Sequence, residues 1–474
     1  MPSYQVLEDV VIVRTSAATT GWTNGGIPAA VTAALTNARP LFVQEGLYNN
    51  LNGILIDSPI EIYAVPNTVT LRMEDGAPFI FHAYNSEKIS LSGLIFDGAN
   101  RNFSPAQFRP ALVRVSRDNN TNTFVEIENC RFTNVTGDSE TASSNSALYL
   151  YRSGGIVSGC QFQNCNQGVF SERADRLAIR NNSVIGGYNA IAVWGLIPSL
   201  QTDPTTFDGT VVEGNNINNI SVAPDDPNKG PTGNAISFFC ANGVIAANNV
   251  IRDCEYSAVR ASRCDSVVIT GNNCFDCRET ALYYERPDAP AGSLGVFGAT
   301  ISNNIVEDCG NGIVMTNFDT GTGRCTCVGN VVRRPRVRTG EEPAAGGVGI
   351  GAEADTVISS NVVEDAELYG IFVGTKTIYQ NLLVTNNLVA NYPESDVTTP
   401  VGIAVRDNNA QGYQLVVGNM VQMKSSPGAD YGLVAMGVNP VTFEYFIVMN
   451  GAVPKAVTNA NFPKVTSGLN SLHT

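Results

Sequence analysis

The sequence predicts an all-β chain wound as a single-stranded parallel β-helix, with a short helix capping its N-terminal end. Three observations carry that expectation: a recurring phrase, a repeat too short for a pair of helices, and apolar runs too brief for anything but strands. The phrase is an Asn, two or three apolar residues, a polar turn, then Gly or Ala and alternating apolar positions. It reads Asn249-Val250-Ile251, Cys254, Ala258-Val259-Arg260-Ala261. It returns as Asn273-Cys274-Phe275, Cys277, Ala281-Leu282-Tyr283-Tyr284, and as Asn304-Ile305-Val306, Cys309, Gly312-Ile313-Val314-Met315. A weaker form, Asn361-Val362-Val363, Ala366, Gly370-Ile371-Phe372-Val373, follows. Self-similarity of this kind marks a solenoid, whose working surface is its long exterior.

Residues 1–26 read as an irregular N-terminal arm. Ile27 to Asn37 carries Pro28 in its first turn and an Ala-rich period, which predicts a short helix. Its expected role is to cover the open edge of the first coil. Pro40-Leu41-Phe42-Val43 begins the first strand, and Glu45-Gly46-Leu47-Tyr48 turns into the next. From Ile54 onward short β-branched runs alternate with polar turns, the pattern of strands. Gly or Ala register marks lie 21 to 23 residues apart where no loop intervenes, as from Ala147 to Gly168 and Ala258 to Ala281. Longer steps place Pro-, Gly- and charge-rich insertions at residues 197–207, 222–233, 286–296, 333–347 and 392–400. The β-helix with its cap is expected over residues 27–421, and residues 422–474 are expected to be a C-terminal cap or contact segment.

Stacked coils bring like residues about 4.8 Å apart. Asn182, Asn216, Asn249, Asn273, Asn304, Asn330, Asn361, Asn387 and Asn419 are expected to form an amide ladder. Cys165, Cys254, Cys277 and Cys309, followed by Ala366, are expected to fill a second column as small buried apolar groups.

Composition limits the function. The 474 residues form one continuous body, because a solenoid grows by stacking. A net charge of −14 argues against a nucleic-acid binder. The chain has 11 Cys and only two His, His82 and His473, without zinc spacings, so no metal or other cofactor is expected. Cys274-Phe275-Asp276-Cys277 has the C-x-x-C form, but no helix follows to lower a thiol pKa. No run of about 18 apolar residues predicts a membrane span. Met1 to Asn24 shows no basic patch followed by an apolar stretch. Either a leader was removed, or the chain leaves the cell by another route, such as lysis.

The stretches GNAISFFCANGVIAANNVIRDCEYSAVR, ETALYYE, NGIVMTNFD and VGIGAEADTVISSNVVEDA resemble an uncharacterised bacterial repeat family. Its members have pectin-lyase-like, right-handed parallel β-helix folds and are usually exported by the twin-arginine route. RPLFVQEGLYNN resembles the first coil of pectate-lyase-like and phage tail-spike β-helices. The resemblance spans roughly residues 28 to 421. It implies the fold and its hand, and no particular reaction.

In Gly-Ile-x-Val-x the alternation sends Ile and Val inward and both x positions outward. One outward column is expected to read Tyr149, Phe170, Ala192, Ser237, Arg260, Tyr283, Val314, Gly351, Phe372, Ala404. The second is expected to read Tyr151, Glu172, Trp194, Phe239, Ser262, Glu285, Thr316, Glu353, Gly374, Arg406. Tyr149, Tyr151, Glu172, Trp194, Phe239 and Glu353 are candidate carbohydrate contacts, since flat rings with scattered polar groups suit a sugar chain. The bland reading has these rings covered by loops or a neighbouring subunit. Arg260, Tyr283 and Glu285 are candidate catalytic residues: in a lyase Arg260 neutralises a uronate while Tyr283 moves a proton. In a hydrolase Glu285 pairs with Glu353 or Glu172; Glu285 and Glu353 would stand roughly twice 4.8 Å apart, near the upper end of the inverting range. The bland reading is a structural Arg260–Glu285 salt bridge. Asp225-Asp226 and the Arg333 to Arg338 run followed by Glu341-Glu342 read as solvated loops.

Two functional classes follow. One is a surface-exposed structural or binding β-helix of the virion-spike or capsid-decoration type. It would be homotrimeric, have a glycan-binding face and sit outside the cell or on a virion, with spare thiols able to join virion or envelope partners. The other is an exported polysaccharide lyase or glycoside hydrolase, periplasmic or extracellular. A non-catalytic envelope protein is a third form.

Overall fold

The computed structural model describes residues 4–13, 26–103, 109–118, 121–136, 145–195, 209–223, 232–286, 298–317, 324–338, 345–353, 355–374, 381–391, 400–407, 414–423, 431–437, 442–444 and 447–449. His473, Asp225-Asp226, Glu341-Glu342 and most of the expected insertions lie outside them. The chain divides into two compact units, residues 1–237 and 238–474.

Each unit is a right-handed parallel β-helix in which every coil gives one strand to each of three parallel sheets. In the first unit, the first sheet stacks Lys88–Ser92, Thr123–Glu128, Ser153–Ser158 and Leu177–Arg180 in register. The second stacks Leu94–Asp97, Arg131–Val135, Gln161–Cys165 and Ser183–Ile185. The third stacks Phe81–Tyr84, Ala111–Ser116, Ser146–Tyr151, Gln167–Glu172 and Asn189–Trp194. The second unit repeats the scheme, for example with Val259–Ser262, Thr280–Arg286, Asn311–Asn317 and Val348–Ala352 in its third sheet.

The helix spans Ile27–Asn37, as its Pro28 and Ala period require, and buries Ile27, Ala30, Val31 and Ala34. The N-terminal arm is more regular than its sequence suggests. Tyr4–Val6 and Val11–Val13 form an antiparallel pair, and Val11–Val13 then lies parallel to Leu41–Val43. The winding also continues past Val421: Tyr431–Gly437, Thr442–Glu444 and Ile447–Met449 each pair with the coil before them. Strand pairing needs only backbone, so it outlasts the side-chain phrase that advertises it.

The interior is columnar. Phe96, Phe132 and Phe162 stack face to face at 5.0 Å between successive centroids. Cys254 pairs in register with Cys277, and the Cys277 amide N lies 3.4 Å from Cys309 Sγ. All eleven cysteines are buried, so none offers a thiol to another chain. That removes the expected disulfide link to partners. Burial pushes the Cys165 thiol up to about 12, which keeps it an apolar filler at neutral pH.

The amide ladder sits in the turn between the first and second sheets. In the second unit it runs through Asn249, Asn272, Asn304, Asn330, Asn361, Asn387 and Asn419. Each internal Oδ1 accepts from the Asn amide and the backbone N–H of the preceding coil. From Asn272 onward each Nδ2 also reaches a backbone carbonyl, as Asn304 Nδ2 does at Ile269 O, 3.0 Å. In the first unit Asn182 and Asn215 make the same contacts. The ladder therefore uses Asn215 and Asn272, not Asn216 and Asn273, which open the next strands. The reason is local. The residue before each rung is left-handed: Asn181, Gly214, Asn248, Gly271, Asn303, Gly329, Ser360, Asn386 and Gly418 all have φ between 54° and 69°. Gly fills that place before Asn215 and Asn272, which moves the rung to the first Asn of each doublet.

In the two coils before Asn182 the rung is a thiol. Cys160 Sγ lies 3.5 Å from Ile127 O and Cys130 Sγ 3.6 Å from Leu91 O, the carbonyl contacts that Asn amides make later. The left-handed Gly also makes room: a Cβ on Gly271 would lie 2.3 Å from Asn248 Oδ1. Gly271→Ala is therefore expected to lower unfolding free energy by about 2 kcal/mol, from positive-φ strain plus the clash, read by urea denaturation. Gly53 has φ +62° but open space around its Cβ position; Gly53→Ala is expected to cost less.

Candidate functional site

Within each unit, third-sheet register places the outward columns as expected. In the first unit Tyr149, Phe170 and Ala192 align, as do Tyr151, Glu172 and Trp194. In the second, Arg260, Tyr283 and Val314 align, as do Ser262, Glu285 and Thr316. The columns also extend backward to residues the sequence reading missed, since Arg114 precedes Tyr149 and His82 precedes Arg114. The earliest coils lack the Asn phrase, so nothing flagged them.

On the first unit, four guanidinium groups lie over the rings. Arg109 sits 4.7 Å from the Phe170 centroid and 4.9 Å from Trp194. Arg114 lies 5.2 Å from Tyr149, and Arg152 and Arg173 each lie 5.7 Å from Tyr151. Cation–π attraction fixes both members of such pairs. Phe170 and Trp194 meet edge to face at 5.2 Å. The result divides the candidates. Tyr149 is 2% exposed, with its hydroxyl donating to Glu172 Oε2 at 3.1 Å, so it supports the face from beneath. Tyr151, Glu172 and Trp194 remain half-exposed, with Arg173 donating to the Tyr151 hydroxyl at 3.2 Å.

On the second unit, Arg260 joins two carboxylates. Its Nη2 donates to Glu285 Oε2 at 2.8 Å, and its Nη1 stands 3.7 Å from Glu279 Oε2. Ser257 Oγ donates to Glu279 at 3.1 Å. The guanidinium also lies 5.0 Å from the Tyr283 centroid. The three expected catalytic residues are thus one cluster, bonded as the salt bridge that the bland reading describes. Glu279 is the member the sequence reading missed. It precedes its strand, where in-out alternation assigns no direction. Burial pushes its carboxyl up, and Arg260 and Ser257 only partly offset that. For Arg260, burial pulls the pKa down, but Glu285 and Glu279 outweigh it and the net shift is upward. Burial likewise raises the Tyr283 phenol. Glu285 gives its Oε2 to Arg260, and Glu353, 3% exposed, lies two coils further on. Glu279 shares a partner, Arg260, with Glu285. Phe239 is half-exposed at the end of Asn234–Phe239.

Among the described residues, no three His, Cys, Asp or Glu side chains converge as metal ligands, and no helix is long and apolar enough to cross a membrane.

Residues 208–422 match the family described as periplasmic copper-binding protein (NosD). No curated protein sequence matches the chain. Among solved structures, the chain resembles DFA-IIIase from Arthrobacter chlorophenolicus A6 at 13% identity and TM-score 0.42, over 87% of this chain and 93% of that one. It resembles the tailspike protein of E. coli bacteriophage HK620 at 13% identity and TM-score 0.41, over 80% and 73%. It resembles the periplasmic alginate epimerase AlgG at 11% identity and TM-score 0.36, over 95% and 81%. These likenesses concern the winding of the chain and say nothing of what it binds.

Proposed function

We propose that this chain is a surface-exposed β-helix that holds a polysaccharide against the outer face of its third sheet. The observation that carries this reading is the half-exposed column Tyr151, Glu172, Trp194, whose rings are fixed by stacked guanidinium groups. Rings of this kind bury sugar faces, while the Arg edges and Glu172 meet hydroxyls or carboxylates. The test is retention of a panel of bacterial polysaccharides in affinity gels. At least one is expected to retard the protein, and Tyr151→Ala and Trp194→Ala are each expected to weaken that binding about tenfold, or 1.4 kcal/mol. Retardation unchanged in both variants would contradict the reading.

The narrower form, a homotrimeric virion spike or capsid-decoration protein acting outside the cell, draws support from the repeated fold. Sedimentation at several concentrations tests it; a monomer throughout counts against it. Buried thiols give reductant no expected effect on that result.

A second reading, an exported or periplasmic polysaccharide lyase or glycoside hydrolase, is favoured by Arg260 binding Glu285 with Glu279 close by. One guanidinium within reach of both carboxylates brings together the residue pair that glycosidases use. Depolymerisation of any panel member, lost in Glu285→Gln, would establish it. Copper binding, which the matched family's description names, fits this donor set poorly. The described thiols face the core, and burial raises Cys274, Cys277 and Cys309 well above the ordinary thiol value, although a metal needs thiolates.

A further inference from the structure

On the outer face of the first unit, His82 Nε2 lies 2.7 Å from Ser116 Oγ. The two residues come from adjacent coils: Arg114 is the register partner of His82, and Ser116 that of Tyr84. The imidazole is held between rings. Phe79 meets it edge-on at 4.9 Å and Tyr84 lies at 5.5 Å. Inward neighbours Phe81 and Ala83 are fully buried, which fixes the strand that carries His82. The Tyr84 hydroxyl in turn donates to Asp118. A serine hydroxyl bonded to an oriented imidazole is the core of an acyl-transfer site.

We propose that Ser116 and His82 form a nucleophile–base pair that removes small acyl groups, acetyl above all, from sugar hydroxyls. Nε2 accepts the Ser116 proton when Nδ1 carries the imidazole hydrogen. Oγ then attacks the ester carbonyl to form a tetrahedral oxyanion. The C–O bond to the sugar breaks, and the sugar oxygen takes the proton from Nε2. Water, deprotonated by the same nitrogen, attacks the acyl carbonyl; the acyl–Oγ bond breaks, Oγ takes back its proton from Nε2, and the carboxylic acid leaves. No oxidant or further reactant enters.

The charged groups facing His82 are Arg114 and Asp118. Burial, then Arg114, lowers the imidazole pKa to about 4, with Asp118 opposing. The base form therefore persists to about pH 5, where an ordinary imidazole is largely protonated.

That the ester sits on a sugar rests on the glycan reading; the dyad itself does not. The probes are accordingly glycan-free: a fluorophosphonate label located by mass spectrometry, and p-nitrophenyl acetate. Label is expected on Ser116, and hydrolysis is expected to fall at least about 100-fold in Ser116→Ala and in His82→Gln. Both variants are compared with the parent by thermal melting, and hydrolysis at pH 5 should match that at pH 7 within about threefold. Absence of both label and hydrolysis, or a rate unchanged in a folded Ser116→Ala, overturns the proposal. Failure to retain any polysaccharide would sink the glycan reading and leave this test standing.

Discussion

Asn304→Ala is expected to be among the most damaging single substitutions in the second unit, lowering unfolding free energy by about 3–5 kcal/mol. Asn304 Oδ1 accepts from the Asn272 amide at 3.0 Å and the Asn272 backbone N–H at 2.9 Å. Its own Nδ2 donates to Asn330 Oδ1 and Ile269 O, at 2.9 and 3.0 Å. Ala removes all four bonds and strands buried donors and acceptors where water does not reach, since Asn272, Asn304 and Asn330 have no exposed surface. Asn273→Ala, one residue beyond the rung, is expected to cost less than about 1 kcal/mol because it deletes no ladder bond. Chemical denaturation of the two variants reads the difference, and equal losses would contradict the ladder.

Arg260→Ala is expected to cost about 2–4 kcal/mol at pH 7, because it leaves Glu279 and Glu285 facing each other in a partly buried site. Side chains there are 17 to 19% exposed, so solvent screens them only in part. The pH dependence has a definite sign. A carboxyl whose folded pKa is raised stabilises the fold fully below its ordinary value, and that contribution fades as pH rises through the folded value. Glu279 already shows this shift. Without Arg260 the Glu279 carboxyl rises further, so the variant's deficit should be greatest at pH 7 and shrink towards pH 4. Denaturation midpoints at pH 4 and pH 7 measure it. A deficit that grows on acidification would show that the cluster is not held by Arg260.

Much of this architecture is legible in the chain. The helix Ile27–Asn37 and both outward columns follow from Pro28, the Ala period and strand alternation. The amide ladder was legible to within one residue. The doublets Asn215-Asn216 and Asn272-Asn273 offer two candidates for one rung, and only the left-handed residue before the rung decides between them. Alternation says which way a side chain points and is silent on what lies above it. For that reason Tyr149 reads as a sugar platform in sequence and proves to be buried in the structure. Glu279, before its strand, and His82 and Ser116, in coils without the phrase, needed coordinates to be placed.

The chain has two tryptophans, Trp22 and Trp194, so Trp22→Phe leaves a single reporter on the proposed glycan face. Titrating that variant with a polysaccharide it retains tests the central claim directly. A saturable shift in Trp194 emission at the same concentrations that retard the protein is the predicted result. Binding that saturates with no change in Trp194 emission would place the polysaccharide elsewhere and contradict the account.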